Sequence, residues 1–284
     1  MKLRKLKNNI FLGVIILLTS LTAVPLVAII LEVFVKGYKQ LGLAFFTETS
    51  PTTLDAFMAL QMGEIIPGGV ANGLVGTIIM VLMSTLMAVP MGILIGIYLA
   101  ENSKSRFAGI VRFTADLLQG VPSIVIGLIA YTWVVKPTGG FSAFAASVAL
   151  MLMMLPMIIR SCEETLKMLP DSLREAALAL GCSKFNATFK VLLPSAFGGV
   201  FTGILLAISR SIGETAPLLL TALGSSLVSW NVMEPSSALP LLIWEFYNDP
   251  NLMSMIWSCS LLLLIVVLVL NIIAKRVARK WRIY

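Results

Sequence analysis

The sequence predicts an all-α protein that crosses a membrane six times. Three observations carry that prediction. Of 284 residues, 58% are hydrophobic and only 12% are charged, with a mean hydropathy of +0.96; a soluble domain is about twice as charged. Six apolar stretches, roughly 10–35, 70–100, 109–135, 141–160, 196–223 and 251–274, are each long enough to cross the hydrocarbon core. The basic residues, Arg210 excepted, fall at the ends of these stretches or between them. Lipid offers the backbone no hydrogen-bond partner, so every span is expected to be helical.

Taken in order, the first stretch follows Lys2, Arg4, Lys5 and Lys7 and runs from Ile10 to about Val35. That is far longer than the apolar part of a signal peptide, and it reads as an uncleaved spanning helix. The second carries Gly92 and Gly96, and Gly69 and Gly73 stand near its start; glycines four apart let helices approach closely. The third begins near Asp116, Gln119 and Gly120-Val121-Pro122-Ser123, and Asp116 and Gln119 either line a path or sit at the membrane interface. A tight turn, Lys136-Pro137-Thr138-Gly139-Gly140, joins it to the fourth. The fifth holds a second close-packing pair, Gly199 and Gly203, and the sixth ends in a basic run. The chain thus divides into 1–69 (tail, first span and external loop), a five-span core at 70–275, and a basic tail at 276–284.

Charge sets the orientation. The N-terminus has four cations. Lys104, Arg106 and Arg112 follow the second span, and Arg160, Lys167, Arg174, Lys184 and Lys190 lie between the fourth and fifth. Lys275, Arg276, Arg279, Lys280 and Arg282 close the chain. Opposite these stand only Lys36, Lys39 and Lys136. This bias predicts cytoplasmic termini and a cytoplasmic 160–195 segment. It also accounts for the net charge of +7 without nucleic acid. Two substantial external segments remain. Residues 36–69 contain Glu48, Asp55 and Glu64; residues 224–250 contain Glu234, Glu245 and Asp249 and no Lys or Arg. Each is either a docking surface for an external protein or a solvated acidic loop.

Several chemistries have no footing. The chain has no His, the commonest metal ligand and general base. Cys162, Cys182 and Cys259 are scattered without metal-ligand spacing and read as small apolar residues. No Gly is followed by Lys, so the chain has no phosphate-cradling loop for ATP. No catalytic residue and no metal site is predicted.

Two segments carry the functional argument. The first is the polar interval of about 161–195. Pro170 ends what precedes it, and Ser172-Leu173-Arg174-Glu175 has the form of a capping box. Ala176, Ala177, Leu178, Ala179 and Leu180 favour helix, and Gly181 suits the left-handed position past a helix end. The spacing predicts a helix of about two to three turns with an Ala and Leu surface, suited to a partner's groove or to lying on the membrane. The second is the fifth span. Arg210 is 14 residues beyond Ala196, about 21 Å along a helix, and a central Arg costs about 2.5–3.5 kcal/mol. Glu214, four residues on, shares its face. Either the two form a structural pair, or Arg210 faces water and attracts an anion through its fork of donors. Gly213 and Pro217 are placed to loosen the helix there.

Three stretches together resemble the permease subunits of phosphate ABC importers: ADLLQGVPSIVIGL at 115–128, LPMIIRSCEETLKMLPDSLREAALALG at 155–181 and ISRSIGETAPLLLTAL at 208–223. Glu175-Ala176-Ala177, Gly181, Val191 and Leu193-Pro194 also have the spacing of the EAA loop of ABC importer membrane subunits. The resemblance covers about 65–275; Leu220 stands where family members often have Phe. It implies a type I ABC-importer permease fold in a bacterial cell membrane. It also implies alternating access, with ATP hydrolysed by a partner and no cofactor bound by this chain. The implied partners are a homologous permease subunit, an ATPase dimer, an external phosphate-binding protein, inorganic phosphate and membrane lipid. It assigns ATPase coupling to Glu175, Ala176, Ala177, Gly181 and Pro194, and the substrate path to Arg210, Glu214 and Arg160. Position alone also allows Arg160 to be a snorkelling, orientation-setting residue. Importers of sulfate, molybdate or phosphonate share the EAA spacing, and a secondary anion transporter would also explain a midplane Arg.

Overall fold

A computed structural model describes residues 2–280; Arg282 and the rest of the expected basic tail beyond 280 lie outside the described residues. The described chain is built from helices. The long helix α1 (Lys2–Gly37) leads to two short helices, α2 (Leu43–Thr47) and α3 (Thr53–Met62). Next come α4 (Ala71–Glu101) and α5 (Arg106–Gly120). Helix α6 (Ser123–Ala130) passes through a π turn at Tyr131–Val135 into α7 (Lys136–Thr138). Helix α8 (Ala143–Lys167) precedes the short α9 (Asp171–Ala179). Helix α10 (Lys184–Ala187) continues through a second π turn, Thr188–Leu192, into α11 (Leu193–Ile212). Helices α12 (Ala216–Leu219), α13 (Leu239–Tyr247) and α14 (Met253–Lys280) complete the chain.

Among the described residues five helical segments are long and apolar enough to cross a membrane, or six when one bent pair is taken as a single span. The bent pair corrects the expectation for 109–135. That stretch is two helices, α5 and the α6–α7 run, meeting at 109°. Val121 is extended (φ −71°, ψ 131°) ahead of Pro122, as the proline ring requires of its predecessor. The expected continuous span 196–223 is also corrected. Helix α11 stops at Ile212, Gly213 follows, and α12 is a separate turn whose first residues include Pro217. The helices that follow the two breaks pack closely: a Cβ at Gly127 in α6 would collide with Pro217 of α12. Both π turns end two residues before a proline, Pro137 or Pro194. A proline has no N–H to donate and crowds the carbonyl four residues back, and the widened turn absorbs both effects.

Helix α8 is the most enclosed of the spanning segments. Gly92 and Gly96 of α4 abut Ile158 and Cys162; Gly199 and Gly203 of α11 abut Thr165 and Ser161. A side chain at any of the four would meet α8 at less than contact distance, so these glycines set the interhelical spacing as expected. The first three N–H groups at the start of α8 are satisfied from elsewhere. Ser142, Ala143 and Phe144 donate to the carbonyls of Thr221, Glu234 and Val232.

The expected external segments fold together at one end of the bundle. Phe45, Ala56, Ala59, Ile66 and Val70 share a core with Leu239, Leu242, Phe246 and Met255. Thr52 and Asp55 form a reciprocal capping box on α3. Asn72 at the start of α4 donates to the Ser225 carbonyl at 2.7 Å, and Ser258 of α14 donates to that of Gly37 at 2.7 Å. In the same region Glu234 accepts from Ser229 and Asn231, which holds its carboxyl below the usual carboxylate range.

Candidate functional site

At the opposite end, α9 is a helix of nine residues. Its start differs from the expected capping box. Pro170 is the N-cap residue, no side chain caps the helix, and Ser172 already lies inside the first turn. Extended Pro170 (φ −66°, ψ 138°) starts the helix directly. Asp171 in the first turn favours the positive end of the dipole. The helix ends as the sequence predicts, with Gly181 left-handed at φ +83°. Glu175 and Ala176 are exposed and Ala177 is buried. Leu180 and Phe185 are strongly exposed beside them, an apolar surface with open space around Gly181.

A charged tie fixes α9 to the end of α4. Arg174 Nη1 and Nη2 donate to Glu101 at 2.7 and 2.6 Å, and Thr188 Oγ1 donates to the same carboxylate at 3.0 Å. Pro194 lies two residues past the π turn that begins at Thr188. These partners are 73 and 87 residues from Glu101, so no local pattern in the sequence marks them.

A cleft of about 1410 Å³ extends from this end into the bundle. Leu169, Pro170 and Leu173 line it beside Lys275 and Arg279 of α14. Asp116, Gln119, Arg160 and Arg210 line it as well. Its charged lining comprises four cations (Arg160, Arg210, Lys275, Arg279) and two carboxylates (Asp116, Glu164). That balance favours an anion over a cation.

The two arginines differ in setting. Arg210 is in the last turn of α11, beside the helix break rather than midway along a continuous span. Its Nε lies 3.4 Å from Glu214 Oε1, and its side chain remains 52% exposed while Glu214 is 17% exposed. Nη1 also reaches Met157 Sδ at 3.8 Å. The pairing with Glu214 is real but long, and it leaves the guanidinium facing the cleft. Met157 is three residues before Arg160, about one turn along α8; the two arginines therefore address neighbouring parts of one wall.

Arg160 is tightly held. Nε donates to Asp116 Oδ1 at 2.7 Å, Nη2 donates to both Asp116 oxygens, and Nη1 donates to Glu163 Oε2 at 3.3 Å. Glu163 is 1% exposed and also accepts from Arg112 (2.9 and 2.6 Å) and from Lys167 (2.5 Å). Arg160 is therefore tied to Asp116 and Glu163. It belongs to a network that joins α5 to α8. Sequence reading singled out Arg160 but missed Arg112, Glu163 and Glu101. The available signal was Arg112 and Asp116 four apart on one helix, opposite Arg160, Glu163 and Lys167 at helical spacing.

This architecture, helices packed on α8 with a cleft open toward a short capping helix, is that of an importer's membrane component. Over residues 92–283 the sequence matches the binding-protein-dependent transport system inner membrane components, and the chain belongs to that family. Its relatives narrow this to PstA. It is 36% identical over 275 residues to the phosphate transport system permease protein PstA of Haemophilus influenzae (96% of this chain, 94% of that one). It is 40% identical over 280 residues to the PstA protein of Yersinia pestis (98% and 92%). It is 35% identical over 275 residues to the PstA protein of Mycobacterium leprae (95% and 88%). Among solved structures, an inward-facing MetNI methionine ABC transporter chain superposes with a TM-score of 0.62 at 21% identity, covering 74% of this chain and 94% of that one. The ABC-importer permease fold follows from this agreement.

Proposed function

We infer that this chain is the transmembrane permease subunit of an ATP-driven inorganic phosphate importer and forms half of the translocation path. Its PstA relatives support the substrate. The single observation that carries the site is the shared cleft, in which Arg160 and Arg210 lie on a predominantly cationic wall that reaches Pro170 and Leu173. Arg210 attracts the anion, because a guanidinium fork binds phosphate oxygens in pairs. Glu214 lowers the cost of placing that charge within the membrane and accepts a hydrogen bond from a protonated phosphate oxygen. Sulfate at neutral pH has no such proton, and the carboxylate repels it uncompensated.

The exposed face of α9, with Glu175, Ala176 and Ala177 and the turn at Gly181, docks on a separate ATPase dimer. Pro194 sets the exit into α11. A homologous permease subunit supplies the other half of the path, and an external phosphate-binding protein delivers the anion at the opposite end. Both termini and α9 are cytoplasmic, in line with the charge bias. ATP is used by the partner; this chain binds no cofactor and breaks no bond. ATP-driven closure moves α9, and the spans rock to expose the cleft alternately.

Arg210→Gln keeps polarity but removes the charge and the fork. In the assembled complex it is expected to reduce labelled-phosphate uptake by at least about tenfold, the equivalent of about 1.4 kcal/mol, with the ATPase still bound. Arg210→Lys is expected to recover only part, since a point charge does not reproduce the fork. Full uptake by Arg210→Gln in an intact complex would reduce Arg210 to a structural partner of Glu214.

A further inference from the structure

We propose that Asp116 is a built-in competitor for the translocated anion: it occupies the Arg160 fork at rest, and only an oxyanion strong enough to displace it gains both arginines. This inference rests on the reading of the cleft as an anion path and adds the residue that sets the threshold for entry.

The geometry separates the removable carboxylate from the permanent one. Glu163 is 1% exposed and shared among Arg112, Lys167 and Arg160. It is the buried centre shared by three partly exposed cations, and losing it would leave them crowded without their common partner, so it stays. Asp116 is 46% exposed and lines the cleft. Among the described residues its partner is Arg160 alone. It takes the Nε and Nη2 edge of the guanidinium, the side-on pair of donors that a phosphate also uses. The Asp116 carboxylate therefore fills the position of a bound oxyanion.

Arg210 offers no such obstacle. Its contact with Glu214 is long and its guanidinium is open to the cleft. An entering anion meets Arg210 first and meets Arg160, about one turn away along α8, only by exchanging with Asp116. The exchange is near balance in charge: the anion gains a fork and Asp116 regains solvent. A singly charged, weakly bonding anion cannot drive it, whereas a phosphate with several acceptor oxygens can. Asp116 is carried on α5, four residues before Gly120 and the 109° break. Its release therefore loosens α5 from α8 near this bend, with Arg112–Glu163 still holding the pair.

The test is binding of labelled inorganic phosphate to the purified full complex, without ATP and without the external binding protein. Asp116→Asn preserves shape and removes the competing charge. It is expected to tighten phosphate binding about tenfold, about 1.4 kcal/mol. Adding Arg160→Gln should erase the gain, because the competition is for Arg160. Unchanged or weaker binding by Asp116→Asn in an intact complex overturns the proposal, as does a gain that survives Arg160→Gln. Asp116→Ser is run in parallel, and loss of assembled complex in both variants makes the pair a structural tie and overturns it too. Failure of the underlying path reading looks different: in the Asp116→Asn background, adding Arg210→Gln would then leave phosphate binding unchanged.

Discussion

Gly181 shows how much one residue can be asked to hold. Its φ of +83° is a conformation that L side chains adopt only with strain, on the order of 1–2 kcal/mol. The space around it is open, so a substitution would suffer from backbone geometry and not from collision. Gly181→Val is expected to disturb the end of α9 and abolish ATP-dependent phosphate transport while the chain still inserts. Wild-type transport by this variant, with the ATPase bound, would refute the docking role of α9. The need for glycine here was legible in the sequence, because a glycine after an Ala-Leu run has a local cause. Arg210 and Glu214 were legible for the same reason, being one turn apart. Arg160 with Asp116, 44 residues away, was not. The sequence names a charge but does not say which distant carboxylate the fold brings to it.

Among elements, α9 transmits only if something grips it. Glu101 does so by accepting from both terminal nitrogens of Arg174 and from Thr188. The pair is partly exposed, with side chains 37% and 25% accessible, so its worth is about 1 kcal/mol or less. That is too little to hold the bundle together, yet it corresponds to a factor of about five in an equilibrium. Glu101→Gln is expected to leave the assembled complex intact and to lower the phosphate moved per ATP hydrolysed, measured in proteoliposomes. An unchanged ratio would show that α9 moves α4 without this tie. Hydropathy found every long helix here but neither helix break, because apolarity says that a segment is in lipid and nothing about its direction. The signals were Pro122, which forces Val121 to be extended, and the Gly213 to Pro217 interval. The capping expectation failed for a related reason: a Ser followed three residues later by Glu has the right spacing, but Pro170 starts the helix two residues earlier.

For the whole molecule, the proposed orientation rests on the charge bias and is tested at the two ends of the bundle. The acidic segments that carry Asp55 and Ser236 fold into one cap, and Ser183 lies beside α9 at the other end. Cysteines introduced near Asp55 or Ser236 are expected to react with an external impermeant reagent, and one at Ser183 is not. External labelling at Ser183 would overturn both the orientation and the docking of α9.

The open cleft leads to a prediction about the chain by itself. Arg210 stands 52% exposed on the wall of an open cleft, and no glycine-lysine step is present to cradle ATP. An open cleft does not exclude water, and without an ATPase nothing drives it to close. Reconstituted alone in liposomes, the chain is expected to accumulate no labelled phosphate, with or without ATP and with or without a proton or sodium gradient. Adding the homologous permease, the ATPase and the external binding protein is expected to restore uptake that depends on ATP and on Arg210. Gradient-driven uptake by the lone chain would make it a secondary transporter and would remove the need for α9 to dock on anything.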